Sequence, residues 1–149
     1  MEKYEVNEET LAVIGLDKAK TRVVEIDKEY IIEDSAYEVM DYSCQYFGSS
    51  YVGRVDGSRT MLGANYKLPI IVEESSDLIF FPISSPDNPK CMWISLQWVE
   101  DVYEENGKTF ILLKNGKKIE STASKSSIKN QIMRSSRLNL ILNDRKKRK

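Results

Sequence analysis

The 149-residue chain is 41% hydrophobic and 30% charged, with a net charge of −1, a balance that excludes a disordered or membrane-spanning chain and fits a folded domain. It has no histidine and two cysteines, which excludes Ser–His and Cys–His nucleophile pairs, His-containing zinc sites and a four-thiolate metal site. The opening MEKYEVNEET is acidic and lacks an apolar leader, and no apolar run nears the roughly 18 residues of a membrane helix, so a cytoplasmic location is expected, with no membrane partner.

One domain over 1–143 is expected, followed by a short basic tail over 144–149. The stretches 10–16 (TLAVIGL) and 21–26 (TRVVEI) are apolar and β-branched and predict strands. Asp27-Lys28, before EYII, predicts a hairpin turn. From Ser35 the period changes: Tyr37, Met40, Cys44 and Phe47 recur at helical spacing. Ser35 and Glu38 stand three apart, as a capping box requires, and Gly48 supplies the stop.

Ser49 or Ser50 then caps a second helix through YVGRVDGSRTML to about Leu62. SCQYFGSSYVGR (43–54) thus predicts a compact helix–turn–helix-like pair over about 35–62, with Arg54 and Arg59 projecting from it. Gly53 and Gly57 weaken the second helix by about 1 kcal/mol each and are expected either to touch a sheet or to admit a ligand backbone.

Residues 67–72 (KLPIIV) and 77–85 (DLIFFPISS) predict strands, with Pro82 at an edge or a strand end. PDNP (86–89) predicts a loop. A meander follows: 91–99, 108–115 and 117–122, with Asn106-Gly107 and Asn115-Gly116 as hairpin signals. On a regular strand 91–99, Trp93 and Trp98 point to opposite faces, at least one of them into the core. Cys44 and Cys91 lie far apart and are expected to be buried, reduced thiols. The acids, including those of VEDVYEENG, are scattered and read as solvated surface. There is no P-loop or dinucleotide fingerprint, so neither an enzyme nor a cofactor is expected.

The last segment predicts a helix over about 125–143. Ile128, Ile132, Leu138 and Leu142 share one face; Lys125, Lys129, Arg134 and Arg137 lie on the opposite half. Met133, Leu140 and Ile141 fall off the apolar stripe and are expected to pack elsewhere or against a second subunit. Residues 125–149 hold nine Lys/Arg and one acid, a net +8; the remainder holds 13 basic and 22 acidic residues, a net −9. An acidic body with a basic end, closing on Arg145, Lys146, Lys147, Arg148 and Lys149, fits polyanion binding. The predicted fold class is α+β, with a mixed, mainly antiparallel sheet.

SCQYFGSSYVGR, KLPIIV, LIFFPISS and CMWIS, in this order and spacing, resemble the bacterial competence transcription factor family, the ComK-like proteins. The similarity runs from about Tyr4 to about Arg137, and FGSSYVGR is its most specific block. The resemblance implies an activator of DNA-uptake genes that binds double-stranded DNA at A/T-rich boxes through the minor groove and assembles as a homo-oligomer on its promoter. Better-known members continue past the basic helix into a longer region serving regulated degradation and activation. This chain stops at NDRKKRK and resembles a short member, which puts a degradation adaptor and full activator function in doubt.

Inserted arginine is favoured in narrow A/T minor grooves, so Arg54 and Arg59 are candidate groove contacts. Ser49 and Ser50 are candidate phosphate donors. Lys125, Lys129, Arg134, Arg137 and residues 145–149 are the alternative basic element. Two other classes stay open: a protein-interaction or regulatory module with an incidental basic tail, and an RNA-binding module stacking bases on Tyr46, Phe47 and Tyr51.

Overall fold

A computed structural model describes residues 3–148. In chain order the elements are β1 (Thr10–Gly15), β2 (Thr21–Glu25), β3 (Glu29–Ile32), α1 (Ala36–Tyr46), α2 (Tyr51–Leu62), β4 (Ile70–Glu73), β5 (Leu78–Pro82) and β6 (Met92–Ser95). A 3-10 turn, Leu96–Trp98, leads to β7 (Val99–Glu105), β8 (Lys108–Leu113), β9 (Lys118–Ser121) and α3 (Lys125–Lys147). The first six strands form one antiparallel sheet, ordered β3-β2-β1-β6-β5-β4, and the last three form a second, β7-β8-β9. The α+β expectation is met.

β1, β4, β5 and β6 are buried on both faces of the six-stranded sheet, which is why they read as continuous apolar runs rather than alternating ones, while the edge strand β3 is exposed. On one face Val13, Ile70, Val72, Phe80 and Trp93 pack against Val39, Met40 and Cys44 of α1. On the other, Ala12, Ile14, Val24, Phe81 and Ile94 pack against Val102, Ile111, Leu113 and Ile119 of the small sheet and Ile128 of α3. A third cluster lies at the β4 end. There Ile71 and Ile79 meet Leu62 of α2, Leu68, and Leu138 and Leu142 of α3.

The helix signals act as expected. Ser35 Oγ accepts from Glu38 N, while Glu38 Oε1 accepts from Ser35 N, both at 3.1 Å. After α1, Gly48 takes φ +89°, the left-handed conformation a glycine adopts without a Cβ clash. Pro82 is the last residue of β5, where its missing N–H costs the ladder nothing.

Three expectations are corrected. Residues 91–99 do not form one strand: the turn at Leu96–Trp98 ends β6 and starts β7 in the other sheet. The opposite-face argument for Trp93 and Trp98 therefore fails. Trp93 is buried, and Trp98 donates from Nε1 to the Glu8 carbonyl at 2.8 Å. Neither helical glycine touches the sheet. A Cβ on Gly53 would meet Ser49 Oγ at 2.8 Å, and one on Gly57 would meet nothing within 4 Å. Finally, the C-terminal helix runs on to Lys147, so residues 144–147 continue it instead of forming a tail. The Ser and Asn residues earlier in α3 are weak helix formers, but packing of Leu138 and Leu142 holds the helix in place.

Cys44 and Cys91 are buried free thiols. Burial pushes Cys44 up to about 12 and Cys91 in the same direction. Both are thus protonated at pH 8, and in native protein both are expected to resist a thiol reagent. A time course of labelling checks this: rapid native labelling refutes it, and labelling that waits for denaturant supports it.

Gly15 and Gly57 are expected to respond oppositely to alanine. A Cβ on Gly15 would lie 2.0 Å from the Pro89 carbonyl oxygen, so Gly15→Ala must displace backbone and should destabilise by about 2 kcal/mol. Gly57 is an exposed helical position with free space, so Gly57→Ala should stabilise by about 0.5–1 kcal/mol. Urea unfolding of the two variants measures both.

Candidate nucleic-acid interface

The α1–α2 unit is held together by its own polar atoms. Ser50 caps α2 by accepting from Gly53 N at 3.0 Å, and Asp41 Oδ1 accepts from Tyr51 N at 2.8 Å. A carboxylate therefore already occupies the positive end of α2, where a phosphate would otherwise be attracted. Ser49 N donates to the Cys44 carbonyl. The two serines serve the turn between helices.

Of the three aromatics in this stretch, only Tyr46 is well exposed. Phe47 is edge-on to Tyr46 at 5.1 Å and packs on the core, and Tyr51 is edge-on to Trp93 at 5.8 Å. Burial raises the Tyr51 hydroxyl above its ordinary range. The row of stacking platforms expected from Tyr46, Phe47 and Tyr51 is thus absent.

The expected projection of Arg54 is also corrected. Its side chain is 18% exposed and lies against Glu74, with Nη1 to Oε1 at 3.3 Å. Its Nε is buried with no hydrogen-bond partner among the described residues. Arg59 does project: it is exposed and, among the described residues, pairs with Asp56 on its own helix at 2.6 Å. A surface pair of this kind is worth about 0–1 kcal/mol, so a phosphate can displace it.

On α3 the cations divide. Lys129, Arg137, Arg145, Lys147 and Arg148 are exposed, Arg148 near Asp144 at 3.1 Å, and Lys125 is half-buried. Lys146 donates to the Glu74 carbonyl and meets Asp77 Oδ1 at 3.0 Å. Arg134 departs from the row expected for it. It donates to the Tyr66 carbonyl at 2.7 Å, the Lys67 carbonyl at 3.2 Å and Gln131 Oε1 at 2.7 Å. Desolvation lowers its pKa from the ordinary arginine value. Lys149 lies outside the described residues.

The two basic elements, distant in sequence, meet at the β4 edge. Leu62 of α2 and Leu138 and Leu142 of α3 share one cluster there. Arg54 and Lys146 both hold the β4–β5 turn, at Glu74 and Asp77. A groove of about 270 Å³ is lined by Arg59 of α2 and by Asn65, Tyr66 and Lys67 of the loop that follows, with Pro86 and Asp87 among its other walls. The two elements that the sequence offered as alternatives, α2 and α3, thus pack against each other through their apolar residues.

Asn65, Tyr66, Lys67 and Gln131 carried no functional expectation from the sequence. A signal existed for Gln131: it interrupts the apolar face of α3 between Ile128 and Leu138, and such a buried polar residue needs partners.

Comparison with known proteins bears on this surface. The family model for the ComK protein matches residues 1–147. A protein of Bacillus subtilis (strain 168) described as a competence transcription factor is 34% identical over 149 residues, covering 97% of this chain and 78% of its own length. No solved structure matches the chain. Because the family match spans both sheets, α1, α2 and α3 as one continuous unit, the chain belongs to the ComK family.

Proposed function

We propose that this chain is a DNA-binding regulator of competence gene transcription, selective for A/T-rich duplex DNA and reading it through the minor groove. The observation that carries this reading is the joining of α2 and α3 at the β4 edge. Arg59 is exposed on α2, and Lys129, Arg137, Arg145, Lys147 and Arg148 are exposed on and just after α3. Exposed cations on a helix can neutralise phosphates and supply affinity without sequence information. Arg54, Ser50 and Lys146 keep the elements in place. Met133 and Leu140 are both 70% exposed on α3, which supports a contact between copies on one promoter. The relative's description as a transcription factor names no enzyme class, and the reading assigns no catalysis.

Mobility shift separates the alternatives. Duplexes carrying short A/T tracts a helical turn apart should bind more tightly than G/C duplexes of equal length, and a minor-groove-binding drug should compete. Equal binding to both duplexes removes the groove assignment, and preferential binding of single-stranded RNA replaces DNA as the target.

Replacing Arg145, Lys147 and Arg148 with alanine should weaken binding to all duplexes alike. The slope of log affinity against log salt should shrink by up to roughly 0.9 for each phosphate that is no longer neutralised. The A/T preference should stay, because phosphates do not report sequence directly. A salt titration on both duplexes measures slope and preference together.

A further inference from the structure

Loop 63–68, between α2 and β4, is exposed at its tip yet firmly held at its base. Tyr66 is 70% exposed. Lys67 takes φ +48°, a left-handed conformation that a side chain with a Cβ adopts only when its surroundings impose it. What imposes it is a polar network from α3. Gln131, 5% exposed, donates from Nε2 to the Lys67 carbonyl at 2.8 Å and to the Pro82 carbonyl at 2.7 Å. Arg134 donates to the carbonyls of Tyr66 and Lys67 and to Gln131 Oε1. Leu68 is buried directly after, fixing where the loop leaves the surface.

The result is a rigid tip whose side chains contribute little to the core. Lys67 Nζ stands 5.3 Å from the centre of the Tyr66 ring, and both border the groove that holds Arg59. Burying a glutamine and half-burying an arginine costs free energy unless their bonds are made. Here those bonds do one thing beyond tying α3 to β5: they set the direction of two side chains at the surface.

Size decides which element enters a minor groove. That groove is about 6 Å wide, while a helix with its side chains is about 10–12 Å across. Neither α2 nor α3 fits; a single extended loop does. Narrow A/T tracts also concentrate negative potential, which favours an inserted cation.

We infer that loop 63–68 is the groove-reading element, with Lys67 entering the A/T minor groove and Tyr66 lying along its sugar walls. Gln131 and Arg134 are positioning residues that act through the loop's carbonyls. The inference rests on the DNA-binding reading above and adds to it a specific contact site and the network that aims it.

The test uses fluorescein-labelled duplexes of equal length, one with an A/T tract and one G/C throughout, and four proteins: the unaltered chain, Tyr66→Ala/Lys67→Ala, Arg134→Gln, and the triple variant. Both loop residues are exposed or at the surface, so the double variant should melt like the unaltered chain. Its A/T-over-G/C preference should fall by about 5- to 150-fold, while G/C binding changes little. Arg134→Gln should also lower the preference, but add nothing once Tyr66 and Lys67 are gone; a merely structural role would give the same additional loss in both backgrounds. A folded double variant with unchanged A/T preference overturns the inference and leaves DNA binding intact. An unaltered chain that binds neither duplex overturns both. If Arg134→Gln fails to fold, the double variant alone decides.

Discussion

Everything on the candidate surface depends on how the β4 edge is closed. Ile71 and Ile79 lie on the face of the sheet opposite α1, beyond the reach of the small sheet that covers Phe81 and Ile94. Left open, they would expose apolar surface at roughly 25 cal/mol per Å². Leu138 and Leu142 of α3 cover them, and Leu62 arrives from α2 on the other side. One hydrophobic requirement therefore brings together two basic helices that the chain places far apart.

Polar interactions then refine what burial has assembled. Arg54 and Lys146 reach the same β4–β5 turn from different helices, and Gln131 and Arg134 hold loop 63–68. These are not the cations that a search for exposed charge would choose. Their role is to fix geometry, which leaves Arg59 and the exposed lysines and arginines of α3 as the solvent-facing cations. Acids lie close to them as well: Glu100 and Asp101 of β7 line a pocket together with Lys129 of α3.

The Leu96–Trp98 turn has a comparable effect on the fold. It lets one run of apolar residues serve two sheets, with Trp93 in the first core and Val102 in the second. Trp98 is fixed by its bond to the Glu8 carbonyl, a partner from near the start of the sequence.

Local structure was legible in the sequence where its cause is local. The capping box at Ser35 and Glu38, the left-handed stop at Gly48, the cap at Ser50 and the hairpins at 106–107 and 115–116 involve residues within a few positions of one another, so composition and spacing determine them. The basic character of the last helix was legible for the same reason. What the sequence could not supply was direction. Arg54 and Arg59 are both exposed-type residues on one short helix; Glu74, brought in by β4, pairs with the half-buried Arg54, while Arg59 stays exposed beside Asp56 of its own helix. Arg134 was indistinguishable from Arg137 until the loop carbonyls were placed beside it. The end of α3 was underestimated because Lys146 gains its partners from the β4–β5 turn, not from its neighbours. Side-chain roles follow from partners distant in sequence, and loop closure by packing, rather than local propensity, chooses those partners.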